Sequence, residues 1–247
     1  MISHIRILGV NVSAVHLHSA HERICEWVKE KKRTYVCVAP ASTLVEARQN
    51  EGYCAILNKA GMITPDGVPV VWLAKLKGCH DISRTYGPDL MRLLCKQPHI
   101  KHYFFGGSTE VIRLLGQNLS RNYDAINIVG MTSPPFRNVA QVEDESTIKE
   151  INDARPDILW VGLGSPKQDY WMAMNRDLLD VPVIIGVGAA FDFIAGVKPQ
   201  APRWMQQNGL EWLFRFCCEP KRLWKRYLLG NILFVYYAIE DLWMKKL

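Results

Sequence analysis

Residues 158–168 read Ile158-Leu-Trp-Val-Gly-Leu-Gly-Ser-Pro-Lys-Gln168. Four apolar residues run straight into two glycines, a hydroxyl, a proline, a cation and an amide. The apolar run is short enough for a buried strand, and Pro166 suits the first turn of a helix. A strand that gives way to a polar, glycine-bearing turn and then a helix is the unit of a parallel α/β sheet.

The same unit recurs along the 247-residue chain. Apolar runs at 5–10, 34–39, 62–64, 102–105, 125–129, 158–162 and 181–187 are the expected strands. Amphipathic stretches at 20–30, 44–60, 68–76, 88–96, 109–121 and 145–153 are the expected helices between them. The alternation predicts an α/β fold: a Rossmann-like, mostly parallel sheet with helices on both faces. Residues 131–145, with Pro134 and Pro135, read as a long connection. After Gly196 the strands stop and the chain becomes helical, aromatic and basic. This divides it into a domain at 1–196 and a C-terminal appendage at 197–247.

From residue 201 onward eight basic residues (Arg203, Arg215, Lys221, Arg222, Lys225, Arg226, Lys245 and Lys246) face four acids, against a net charge of +6 for the whole chain. Trp204, Trp212, Trp224 and Trp243 lie in the same stretch. A basic, aromatic helical segment suits a membrane interface, where cations meet anionic headgroups. It equally suits a packed helical subdomain with tryptophans in its core. The charge is moderate and no nucleic-acid module is present, so no nucleic-acid partner is expected. The apolar stretch 227–239 is shorter than the roughly 20 residues that a spanning helix needs. The N-terminus lacks the apolar core and cleavage site of a signal peptide. Seven cysteines without a CxxC pair fit reduced thiols in a cytoplasmic protein.

Five turns carry candidate chemistry. Thr64-Pro65-Asp66-Gly67 presents a carboxylate at a strand's end. On residue type alone Asp66 reads first as a cap of the helix that follows, and second as a general base. Gly106, Gly107 and Ser108 permit close approach of backbone N–H groups to a phosphate, although a purely structural turn fits as well. Gly162, Gly164, Lys167 and Gln168 form the most ligand-like loop. Around Asp192, Phe191 and Phe193 read as packing residues. Arg84 precedes a helix opened by Gly87-Pro88-Asp89. No D-x-D, P-loop or G-x-S-x-G occurs, and no histidine lies in these turns. No metal ligand set and no cofactor is expected.

In order along the chain stand ITPDGVPVVWLAKLKG (63–78), SRTYGPDLM (83–91), YFFGGS (103–108), VGLGSPKQDYWM (161–172), GVGAAFDFIAG (186–196) and a C-terminal GLEW…R…EP…R…KRY pattern. Together they resemble the WecG/TagA/CpsF family of glycosyltransferases. The resemblance implies an inverting, metal-independent transfer of a hexosyl or N-acetylhexosaminyl group from a UDP-sugar to an undecaprenyl-diphosphate-linked saccharide. Such products feed teichoic acid, enterobacterial common antigen or exopolysaccharide. It further implies Asp66 as catalytic base, Gln168 and Arg84 in the active site, and Arg215, Arg222 and Lys225 as cations for the acceptor diphosphate. It places the protein peripherally on the cytoplasmic membrane face, where members of the family can form homo-oligomers. Where many members carry a T-x-N-like run, this chain has Val38-Ala39-Pro40-Ala41-Ser42-Thr43. That departure points away from N-acetylmannosamine and toward a glucose-transferring, exopolysaccharide-type branch. The rival readings are a non-catalytic membrane partner of another transferase and, further off, a nucleotide-sugar oxidoreductase, for which the dinucleotide fingerprint is missing.

Overall fold

The computed structural model describes residues 2–137 and 140–243, without the side chain of Arg226. The cations expected at Arg226, Lys245 and Lys246 therefore lie outside what is described.

The chain opens with β1 (His4–Ile7) and β2 (Val10–Ser13), then α1 (Leu17–Lys29), β3 (Thr34–Ala39), α2 (Ala41–Gln49), α3 (Glu51–Asn58), β4 (Met62–Pro65) and α4 (Val68–Leu76). It continues through α5 (Gly87–Leu94), β5 (Lys101–Gly106), α6 (Thr109–Asn122), β6 (Asn127–Thr132), α7 (Glu145–Ala154), β7 (Ile158–Gly162), α8 (Lys167–Asn175), β8 (Val183–Gly186) and α9 (Ala190–Ile194). It ends with α10 (Arg203–Gln207), α11 (Glu211–Cys218), α12 (Pro220–Trp224), a π turn over Lys225–Leu229 and α13 (Gly230–Trp243). Strands β3 to β8 form one sheet in the order β4-β3-β8-β7-β5-β6, with every neighbouring pair parallel. The expected Rossmann-like sheet is present.

Three of the differences from the sequence reading have a local cause. The run at 5–10 is half of a two-residue hairpin, because Leu8 (φ 51°) and Gly9 (φ 90°) take the left-handed conformations that such turns need. The stretch 44–60 is two helices. Asn50 leaves helical geometry (φ −135°, ψ 103°), and its side chain accepts from the Tyr53 N–H to start α3. The sixth strand begins at Asn127 and not at 125, because Ile126 is still bonded to Tyr123 in a turn. Within that strand the Tyr103 ring lies across Gly130, where a Cβ would meet it at 2.2 Å.

The sheet is apolar on both faces, as an internal parallel sheet must be. One face buries Leu44, Tyr53, Leu57, Val70 and Trp171 from α2, α3, α4 and α8, together with the hairpin. The other buries Ile24, Trp27, Leu90, Leu115 and Phe191 from α1, α5, α6 and α9. His102 lies inside this second core and accepts from the Trp160 indole N–H (3.1 Å), and burial lowers its pKa to about 4.

After α9 the chain leaves the sheet and returns. Helix α13 lays Leu233, Phe234, Tyr237, Ala238 and Leu242 against the first core, beside α2. Arg48–Glu240 (3.3 Å) and Lys77–Asp241 (2.6 Å) flank that seam. Its opposite face, with Ile232, Val235, Tyr236, Ile239 and Trp243, is exposed. Among the described residues no helix is long and apolar enough to cross a membrane.

Candidate active site

A cavity of about 630 Å³ opens at the carboxyl edge of the sheet. All six parallel strands deliver a residue to it at or just past their ends: Pro40, Asp66, Gly107, Ser133, Gly162 and Val187. Open α/β sheets hold ligands at this edge because every strand-to-helix turn points there. The N-terminal ends of α2, α4, α6 and α8 open on the same space through Ala41, Gly67, Ser108 and Lys167. Unpaired N–H groups and aligned peptide dipoles make such ends favourable to anions.

The floor is built from backbone. Gly106 (φ 130°) and Gly162 face each other across the β5–β7 pair. A Cβ on Gly106 would sit 2.7 Å from the Gly162 carbonyl, and one on Gly162 would sit 2.4 Å from the Phe191 ring. The Gly107 N–H donates to the Gly162 carbonyl (3.2 Å), and Ser133 Oγ donates to the Gly107 carbonyl (2.8 Å). Ser108 caps α6 by accepting from the Val111 N–H (3.3 Å). Gly107, Ser108, Gly162 and Gly164 line the cavity, whereas Gly106 supports it from behind.

Gln168 is buried, and its amide is turned on its own loop. Oε1 accepts from the Gly164 N–H and Nε2 donates to Ser165 Oγ, both at 3.1 Å. It therefore fixes the shape of the turn from the cavity wall. Beside it lies Asp169, which sequence reasoning passed over. Its carboxylate is fully buried and accepts from the Tyr53 hydroxyl at 2.6 Å. Burial pushes its pKa up to about 6, against the pull of hydrogen bonds from Tyr53, Ser165 and Cys37.

Asp66 does not cap α4. The N-cap is Gly67, with no side-chain bond, and the Asp66 carboxylate faces the cavity instead. Arg84 Nη2 stands 4.0 Å from Asp66 Oδ1 and forms its closer ion pair with Glu211 of α11. Arg84 Nη1 donates to the Gln206 carbonyl (3.2 Å), and its guanidinium lies 4.1 Å over the Tyr86 ring. The Tyr86 hydroxyl donates to the other Glu211 oxygen (3.0 Å). Burial works against the Arg84 charge, but Asp66 and Glu211 outweigh it and raise its pKa. Burial first, and these same carboxylates second, push the Tyr86 phenol up. Glu211 was missed from the sequence because its partners lie far back along the chain.

The remaining cations divide. Lys167 lines the cavity, donates to the Arg137 carbonyl (3.0 Å) and stands over the Phe136 ring. Arg215 lines it from over Phe193; both Phe193 and Phe191 border the cavity, and Phe191 is at the same time packed in the core as expected. Arg222 lines it while paired with Glu219, and Asp192 lines it while paired with Lys198 (2.9 Å). Lys225 is not brought to the cavity wall. It stacks on Trp224 at the start of the π turn. Among the described residues no group of His, Cys, Asp and Glu is placed to hold a metal ion. On the β3–α2 turn only Ser42 offers a side-chain hydroxyl to the cavity, since Thr43 is buried beneath it.

Fold and site together define an α/β protein whose cleft places helix N-termini and cations beside the Asp66 carboxylate. A model of the Glycosyl transferase WecG/TagA/CpsF family matches residues 5–247, and the chain belongs to that family: it is a glycosyltransferase. It is 31% identical over 205 residues to an N-acetylglucosaminyldiphosphoundecaprenol N-acetyl-beta-D-mannosaminyltransferase of Bacillus spizizenii, covering 82% of this chain and 77% of the relative. A protein of the same name from Bacillus subtilis is 32% identical over 186 residues (74% and 70%). One from Staphylococcus aureus is 26% identical over 227 residues (88% and 85%).

Proposed function

We propose that the protein transfers a hexosyl or N-acetylhexosaminyl group from a UDP-sugar to a polyprenyl-diphosphate-linked saccharide, with inversion and without a metal ion, in cell-surface polysaccharide synthesis. The observation that carries this reading is the Asp66 carboxylate lining a cleft that helix N-termini and cations also line. Asp66 takes the proton from the acceptor hydroxyl. The freed oxygen attacks the anomeric carbon from the side opposite the diphosphate, and the bond from that carbon to the UDP oxygen breaks. The negative charge then gathering on UDP meets the N-terminal ends of α6 and α8, at Ser108 and Lys167, and the Lys167 ammonium. Arg215 and Arg222, from α11 and α12, receive the acceptor's diphosphate. The lipid-linked acceptor is suggested by the names of the relatives.

In this reading residues 197–247 act as a membrane-facing appendage to the domain at 1–196. The exposed apolar face of α13 rests on the lipid surface of the cytoplasmic leaflet. Anionic vesicles should retain the protein in a sedimentation assay, and Ile232→Glu together with Ile239→Glu should release it. Retention of that variant would remove the lipid contact from α13.

The direct test is UDP release from a panel of UDP-sugars with a synthetic prenyl-diphosphate saccharide, with and without EDTA. Acceptor-dependent release that survives EDTA is the expected result, and the panel names the sugar. Loss of release in EDTA, restored by Mg²⁺ or Mn²⁺, would overturn metal independence. Asp66→Asn should lower kcat by roughly 10²- to 10⁴-fold while donor binding stays unchanged. Full turnover in that variant would remove Asp66 as the base.

A further inference from the structure

The Arg84 guanidinium is shared between two carboxylates from different parts of the chain. Asp66 belongs to the β4–α4 turn, and Glu211 opens α11. Nη2 is 4.0 Å from Asp66 Oδ1, while Glu211 Oε2 holds that same nitrogen in direct contact. Glu211 also anchors the Tyr86 hydroxyl (3.0 Å), whose ring lies under the guanidinium. The Gln206 carbonyl, just before α11, takes Nη1 (3.2 Å). Arg84, Asp66 and Glu211 are each less than one-fifth exposed, so water screens these charges little. Two of the three groups that hold Arg84 in place thus come from residues 206–211.

From this geometry we infer that Glu211 is a positioning residue, which holds Arg84 off Asp66 and so makes the carboxylate available to the acceptor only while α11 is docked. Without Glu211, Asp66 is the remaining carboxylate in ion-pair range of Arg84. An arginine free to turn closes on it as a charge-assisted, two-pronged pair. A carboxylate held that way is a poor acceptor for a substrate proton. Donor binding, which uses the glycine floor and the helix N-termini, is left alone. The inference rests on the reading of Asp66 as the base and adds a switch to it.

The test is a double-mutant cycle in the transfer assay. Glu211→Met should lower kcat about tenfold while the donor KM stays within about twofold. In an Arg84→Met background, with no guanidinium left to close on Asp66, Glu211→Met should change kcat by less than about twofold. Wild-type kcat in Glu211→Met, or the same loss in both backgrounds, would overturn the inference. The cycle is repeated with Glu211→Gln, which keeps the side chain's shape. A second readout does not need turnover. Hydrogen exchange over residues 203–218 should rise equally in Glu211→Met and Arg84→Met and no further in the double variant. Additive rises would mean that the two residues do not hold each other. Should Asp66→Asn keep full turnover, the base reading falls, while the exchange cycle still reports on the Glu211–Arg84 contact.

Discussion

The two sides of the cavity are made of different material. The sheet side is backbone: Gly107, Gly162 and Gly164 bring peptide groups to the surface, Gly106 supports them from behind, and Gln168 fixes the turn from the cavity wall. The appendage side is charge: Arg215 over Phe193, Arg222 on Glu219, Glu211 on Arg84, and Lys198 bridging Asp192 and Glu219. The first side is shaped by close contact and has no room to adjust. The second is shaped by ion pairs, which can be exchanged for pairs with an incoming anion. In the proposed reading the rigid side takes the donor and the exchangeable side the acceptor, so that two anionic substrates share one cleft.

The comparison breaks most visibly at the floor. Gly162→Ala puts a Cβ 2.4 Å from Phe191 in the core, and Gly106→Ala adds the strain of φ 130°. Each should cost about 1–3 kcal/mol in denaturant unfolding and abolish UDP binding in titration calorimetry. Unchanged UDP affinity in both would show that the floor is not the donor wall.

Asp169 gives an effect of similar size with a pH signature. Its folded pKa of about 6 lies above its ordinary value of 3.8, so between those pH values the folded state holds more proton than the unfolded chain. The sign follows: this group's contribution to stability is greatest below pH 3.8, falls as pH rises toward about 6, and is flat above. Ionised Asp169 therefore costs the fold about 3 kcal/mol at neutral pH. Asp169→Asn should flatten the stability profile between those pH values, as read by urea midpoints. An unchanged slope there would assign it to other groups.

The smallest effect is expected on the charged side. Lys198→Gln removes pairs with Asp192 (2.9 Å) and Glu219 (3.5 Å), whose side chains are 23% and 29% exposed. Partly exposed pairs of this kind contribute up to about 1 kcal/mol. Thermal unfolding should move by only a few degrees. The salt dependence of acceptor KM should become shallower, because the cavity wall, which Lys198 also lines, loses one positive charge. A change in donor KM instead would place Lys198 on the wrong wall.

The sheet and its turns were legible because they are local. In 158–168, apolar run, glycine turn and helix start lie within eleven residues. The hairpin was not, since Leu8 at positive φ defies its side-chain type and only Gly9 hints at the turn. The break at Asn50 hides in a continuous helical pattern and shows only once the Asn side chain reaches the Tyr53 N–H. Asp66 was ambiguous for the same reason, because cap and base differ only in where the carboxylate points. Glu211 was out of reach: its meaning depends on Arg84, 127 positions earlier. Lys225 resembled its neighbours in the basic run, but helix phase turned it onto Trp224 and away from the cavity.

The inner face of α13 carries a consequence for the making of the protein. Helix α2 is synthesised early, yet its apolar flank is covered by a helix whose Tyr237 meets Gln49 across 188 residues. At roughly 5–20 residues per second on the ribosome, that flank waits on the order of ten to forty seconds for its cover. Over that interval the nascent chain carries a greasy strip that a chaperone would bind and a neighbouring nascent chain would stick to. Yield in the cell should therefore depend on the speed of elongation from Gln49 to Tyr237.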